Sequence, residues 1–149
     1  MADTAVLEKI LHVKEKEKDA AQLDKTEAVN RFEEIASRLY EELKRKENAE
    51  SELDVVMKAK ATITMIKEQS RYISLMKEKI NTLQNNVQKA RIEMEQKQNA
   101  LTEAHIEVKK IERLIALREQ EQKELLQKQE MAFMDEISML QFQKQRQNR

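Results

Sequence analysis

Apolar side chains recur along this chain at alternating intervals of four and three residues, in two long runs. The first passes through Leu7, Leu11, Lys14, Lys18, Ala21, Lys25, Ala28, Phe32, Ile35, Leu39, Glu42, Lys46, Ala49, Leu53 and Val56. The second is cleaner: Ile73, Met76, Ile80, Leu83, Val87, Ala90, Met94, Lys97, Leu101, Ala104, Val108, Ile111 and Ile115, with Lys97 its one charged member. A 3.5-residue period held over so many turns is the signature of helices that bury a narrow seam against each other, the coiled coil. Between the runs lies Lys58-Ala59-Lys60-Ala61-Thr62-Ile63-Thr64-Met65. Three β-branched residues in succession weaken helix there, and Thr62 or Thr64 is placed to cap the helix that follows. The pattern predicts an all-α fold: one antiparallel two-helix coiled-coil hairpin across residues 1–149. Helix one covers about 4–58, the turn about 59–64, and helix two about 64–145. A single continuous helix paired with another chain is the alternative.

The two predicted helices differ in length, roughly 80 Å against roughly 120 Å at 1.5 Å per residue. Antiparallel pairing brings Leu7 near residue 115, so the C-terminal part of helix two has no internal partner. That overhang is not polar. Leu126, Phe133, Ile137 and Leu140 share one helical face, with Met131, Met134, Met139 and Phe142 beside them. The earlier register loses its apolar character at Arg118 and Gln122 before this stripe begins, a shift of the kind a stutter produces. An exposed apolar stripe on an unpaired helix marks a docking surface, and methionine suits a surface that accepts an imperfect fit. The bland alternative is that these residues cover the N-terminal end of helix one. Within the seam, Lys25 and Lys97 fall at about the same level. Their charges repel although their stems can reach outward, which predicts a soft middle to the hairpin.

Composition narrows the picture. The chain of 149 residues contains no Gly, Pro, Cys or Trp, where an average chain of this length carries roughly ten Gly and seven Pro. Strand-rich and α/β folds need those residues for turns and left-handed positions, so helix is what remains. With 38% charged and 3% aromatic residues, one stripe per helix is buried and the rest is left to solvent. Lys plus Arg and Asp plus Glu are equal at 28 each. The signs interleave, as in Lys14-Glu15-Lys16-Glu17-Lys18-Asp19, which reads as a solvated helix face rather than a nucleic-acid surface. The absence of cysteine fits a cytoplasmic protein. No signal peptide is visible at Met1-Ala2-Asp3-Thr4, and no apolar run approaches a membrane span, so the expectation is a soluble chain without direct membrane insertion.

Nothing in the pattern supports catalysis. His12 and His105 both lie off the seam as surface residues. No metal-ligand spacing and no Gly-rich phosphate loop occurs, so no catalytic, cofactor or metal residues are expected. A two-stranded coiled coil offers no walled pocket in which carboxylates could be tuned for acid–base work. Tyr40 sits one residue past Leu39, and Tyr72 one before Ile73. Both fall in the part of the hairpin nearer the turn. Either they form a second docking patch with Leu43 and Met76, or they pack beside the seam.

Three stretches give the chain a family resemblance: LEKILHVKEKEKDAA at Leu7 to Ala21, SRYISLMKEKI at Ser70 to Ile80, and Leu101 to Phe142 with LTEAHIEVKKIE and MDEISMLQF. In these, and in its hairpin layout, the chain resembles the flagellar export protein FliJ of the bacterial type III export apparatus. The resemblance implies an antiparallel coiled coil similar to the central stalk of rotary ATP synthases. It also implies a role in motility through flagellar protein export. Its implied partners are the hexameric export ATPase FliI, the export gate protein FlhA and export chaperones. The resemblance places Leu7, Leu11, Phe133, Ile137 and Leu140 at the ring-facing end, and Tyr40, Leu43, Tyr72 and Met76 on the gate-facing surface. It further implies a chain that is monomeric when free, cytoplasmic, and peripheral at the membrane's inner face through its partners. Alternatives are the analogous stalk of an injectisome, a homodimeric coiled-coil rod, and a prefoldin-like holdase whose basal strands VVMKAKATITMI is too short to supply.

Overall fold

With no Gly or Pro to interrupt them, the two heptad runs wind into two long helices. A computed structural model describes residues 2–59 and 62–148; in it α1 spans Ala2–Lys58 and α2 spans Ile63–Gln147, with no strand among the described residues. The fold is an all-α helical hairpin. Residues 60 and 61, within the segment expected to reverse the chain, lie outside the described residues. On either side of them the helix ends are closed. At the end of α1 the Ala59 amide donates to the Val55 carbonyl at 3.1 Å, and Lys58 in the last turn faces the negative end of the helix dipole. Thr62 caps α2: its Oγ1 accepts from the Met65 amide at 3.4 Å, and its carbonyl accepts from the Ile66 amide at 3.2 Å. A threonine in this position satisfies one of the amides that a helix start leaves without a partner.

The chain gathers into two units, Asp19–Glu103 and Met1–Lys18 with Ala104–Arg149. Inside Asp19–Glu103 the helices run antiparallel in one register. Arg31 pairs with Glu93, Lys79 Nζ donates to Glu42 Oε1 at 3.1 Å, and the Gln69 side-chain amide donates to the Ala49 carbonyl at 3.3 Å. Ala49, Ile73 and Met76 form the core cluster, with Leu53 packed against it. At the same register Ala28 comes level with Met94 and Ala90 with Phe32, so a small residue on one helix accepts a large one on the other. Ile73, Met76 and Ile80 retain 7%, 4% and 5% of their exposure. Burial of this kind contributes roughly 1.5–3 kcal/mol per large apolar side chain.

Charge enters this seam on unequal terms. Glu42 is buried, and its Oε1 accepts from both Arg45 Nη1 at 3.2 Å and Lys79 Nζ at 3.1 Å. Lys46 keeps its stem half-buried while its ammonium reaches Glu50 at 3.7 Å. Lys25 and Lys97 are half-buried at one level, and among the described residues neither has an ion-pair partner.

In the unit of Met1–Lys18 with Ala104–Arg149, Thr4 and Val108 are buried, and Leu7, Leu11, Ala104, Ile111 and Ile115 are half-buried. The stem of Lys14 is half-buried as well, with its ammonium on Glu17 at 3.4 Å. Beyond Ile115 burial stops. From 116 through 148 only Gln122 and Ile137 are even half-buried. The C-terminal apolar stripe therefore does not cover the start of α1. No helix among the described residues is long and apolar enough to cross a membrane.

Candidate docking surfaces

Two surfaces were expected to carry contacts, and the structure sorts their residues differently from the sequence. Of the ring-facing group, Phe133 and Leu140 are 62% and 60% exposed, and Ile137 lies half-buried between them on the same face of α2. Leu126, one heptad before Phe133, extends the face. Leu7 and Leu11 are elsewhere. Both are half-buried seam residues of the unit that also holds Ile111 and Ile115. Phe133 lies eighteen residues beyond Ile115, roughly 27 Å along the helix axis. The five residues therefore make one exposed face and one end of the seam, and only the face is open to a partner.

The gate-facing group divides three ways. Met76, expected on the docking surface, is 4% exposed inside the cluster with Ala49 and Ile73. Its heptad position turns it into the seam, which withdraws it from any surface. Tyr40 follows Leu39 by one residue and Leu43 follows Glu42 by one, so both project from the same flank of α1 and both are exposed. Tyr72 precedes Ile73 by one, as Lys79 precedes Ile80 and Glu93 precedes Met94. Those positions share the flank on which Glu93 meets Arg31, and that flank is opposite the one bearing Tyr40 and Leu43. The two tyrosines are exposed but do not form one patch. Tyr40 is the better-built of the two. Lys44 Nζ stands 5.5 Å from its ring centroid, and Phe32, Ala36 and Tyr40 line a shallow groove with Glu33, Ser37 and Glu41. A cation over an exposed ring contributes about 0.5–1 kcal/mol and holds the ring's orientation.

Several residues were not singled out from the sequence. Leu117 and Leu125 are more than half exposed, and Leu125 lines a shallow groove with Leu126, Glu119, Gln122, Lys123 and Gln129. A second groove runs past Ser138, Met139, Phe142, Gln143 and Arg146. The available signal was a second seven-residue row, Leu125–Ala132–Met139, beside Leu126–Phe133–Leu140. His12 and His105 are exposed. Among the described residues no three His, Cys, Asp or Glu side chains converge closely enough to hold a metal ion.

The fold and these surfaces define an all-α coiled-coil hairpin that carries an unpaired, apolar helical end. The chain matches the flagellar FliJ protein family over residues 4–147. It is similar to the flagellar FliJ protein of Bacillus subtilis (strain 168), 34% identical over 138 residues, a match that covers 91% of this chain and 92% of that relative. No solved structure matches it. The chain belongs to the FliJ family, a non-catalytic family of flagellar proteins, and is a component of the flagellar export apparatus.

Proposed function

We propose that this chain acts as the stalk of the export apparatus. The C-terminal end of α2 docks into the ring of the hexameric export ATPase FliI, promotes assembly of that ring and raises its turnover. The flank bearing Tyr40 and Leu43 engages the export gate protein FlhA, with Tyr72 available to a further contact on the other flank. Export chaperones are the third class of partner. The chain is monomeric when free, works in the cytoplasm, and is held at the inner face of the membrane through these partners. It changes no bonds itself. A stalk alters its neighbour's chemistry by contacting one conformation of that neighbour better than another, which shifts the neighbour's equilibrium.

The observation that carries this reading is the exposure of Leu126, Phe133 and Leu140 on a helix that has outrun its partner. Large apolar side chains held in water in a regular row are stabilised when a second surface covers them. Membership of a flagellar family supports looking for that second surface within the export apparatus.

The test is the ATPase rate of the cognate FliI with and without this chain, with light scattering to follow ring assembly. A version ending at Gln120 serves as the comparison. Stimulation by the full chain that disappears on truncation supports the reading. Equal stimulation by both versions would move the docking surface off the overhang, and no stimulation or binding by either would end the stalk reading.

A further inference from the structure

Both apolar rows on the free end of α2 run into a cation. Leu125, Ala132, Met139 and Arg146 follow one another at intervals of seven, and Lys144 follows Ile137 by seven and Leu140 by four. Lys144 and Arg146 are exposed, and among the described residues neither has an ion-pair partner. Their neighbours along the helix explain why. Arg118, Lys123 and Lys128 each have a glutamate three or four residues away, at Glu121, Glu119 and Glu124, whereas no acidic side chain stands at that spacing from Lys144 or Arg146. From Ile137 through Asn148 there is none at all. The acidic residues just before, Glu130, Asp135 and Glu136, in turn have no cation three or four residues away. The exposed pair Asp135 and Glu136 therefore stands roughly 14 Å along the axis from the exposed pair Lys144 and Arg146, with neither sign answered within the helix. Cations in the last turn of a helix also face the negative end of its dipole. The dipole favours them anywhere in that turn, and accounts neither for cations that continue the apolar rows nor for the carboxylates about two turns before them.

We infer that Lys144 and Arg146, with Asp135 and Glu136, are the residues that set the depth at which the free end of α2 sits in its partner. The inference rests on the reading of this end as the element that docks into the FliI ring, and it names the chemistry of the surface met there. That surface is apolar along the rows, carries carboxylates level with Lys144 and Arg146, and carries cationic groups level with Asp135 and Glu136. Arg146 lines a shallow groove with Met139 and Phe142, so a carboxylate that reaches it does so beside apolar side chains, where less water screens the pair. A row such as Leu126, Phe133 and Leu140 fits a facing groove almost as well after a slip of one heptad. The charges do not. Such a slip sets the partner's cationic groups level with Lys128, and its carboxylates level with Ile137 and Met139, which offer them nothing. Apolar contact thus supplies the attraction, and the two unanswered pairs of charge select one register from the repeats.

Titration of the full chain against the cognate FliI, read by binding and by ATPase stimulation at about 50 and about 300 mM salt, tests this. Lys144→Glu with Arg146→Glu should weaken binding about tenfold, and so should Asp135→Lys with Glu136→Lys. The two pairs change net charge in opposite directions, so a ring surface of one overall sign would weaken one pair and strengthen the other. Lys144→Gln with Arg146→Gln keeps good helix formers in the last turn. It should weaken binding about threefold with unchanged helix content by circular dichroism, which separates lost contacts from a frayed helix end. Affinity of the parent chain should fall as salt rises, and less steeply for the glutamine pair. A charge-reversed pair that binds as well as the parent, or better, would overturn the inference and leave ring docking in place. A parent chain that neither binds nor stimulates would end the ring reading, and this inference with it.

Discussion

Two stretches of the same helix, Ile73 to Ile115 and Gln120 to Gln147, have similar residues and opposite fates. Both carry apolar side chains at heptad spacing, and both are charged elsewhere. In the first, Ile73, Met76, Ile80, Leu101 and Val108 are buried; in the second, Leu126, Phe133, Met139 and Leu140 stand in water. Hydrophobicity is not what separates them. The first stretch has a partner helix at its side and the second has none among the described residues, because α2 is longer than α1. The same chemistry therefore contributes stability in one place and stays exposed to water in the other.

The largest effect expected from this contrast is on thermal unfolding. Ile80→Ala removes a seam side chain and should cost about 2–5 kcal/mol, whereas Phe133→Ala should stay within about 0.5 kcal/mol of the parent. Unfolding followed by circular dichroism decides this, and comparable losses at both sites would mean that the overhang is packed after all. The polar seam site comes next. Glu42→Ala should cost about 1–2 kcal/mol, because a buried carboxylate with two cations is removed and nothing fills its place. Since Arg45 and Lys79 are each 63% exposed and can return to water, Glu42→Leu should be neutral or stabilising instead. A loss with leucine equal to that with alanine would show that the ion pairs themselves hold the register. Thr62→Ala should cost about 1 kcal/mol through the lost cap, with Thr64→Ala close to silent; equal effects would place the helix start elsewhere. The smallest change is a gain. Lys25→Leu should stabilise by about 0.5 kcal/mol or somewhat more. It should also slow hydrogen exchange at the amides around Lys25 and Lys97, and unchanged exchange there would show that the middle of the seam was never soft.

Most of the fold could be read before any coordinates. Every residue of both heptad runs is buried or half-buried, polar members included. A 3.5-residue period is a local property that survives without knowing the partner, and the lack of Gly and Pro removes competing chain paths. The surfaces were less legible because they depend on pairing across distant parts of the chain. Met76 sits at a seam position and two residues from Ser74, so it could be assigned to a surface only by overlooking its own heptad. Tyr40 and Tyr72 both fall in the part of the hairpin nearer the turn, which suggested one patch. Their separation onto opposite flanks follows from which edge of α1 Arg31 presents to Glu93, a fact with no local signal. Glu42 looked like a simple interruption of the first run, since Lys79 lies 37 residues away in sequence. The overhang was readable because it required only a comparison of two lengths.

The exposed row has one further consequence, for how the protein ages. Thioether sulfur takes up an oxygen atom readily when water and oxidant can reach it, and the resulting sulfoxide is polar. Met131, Met134 and Met139 are each more than 60% exposed, while Met76 in the seam is 4% exposed. An oxidant therefore converts the free end of α2 from apolar to polar well before it touches the core. The chain would keep its helices while that row lost its apolar character, until a methionine sulfoxide reductase restored it.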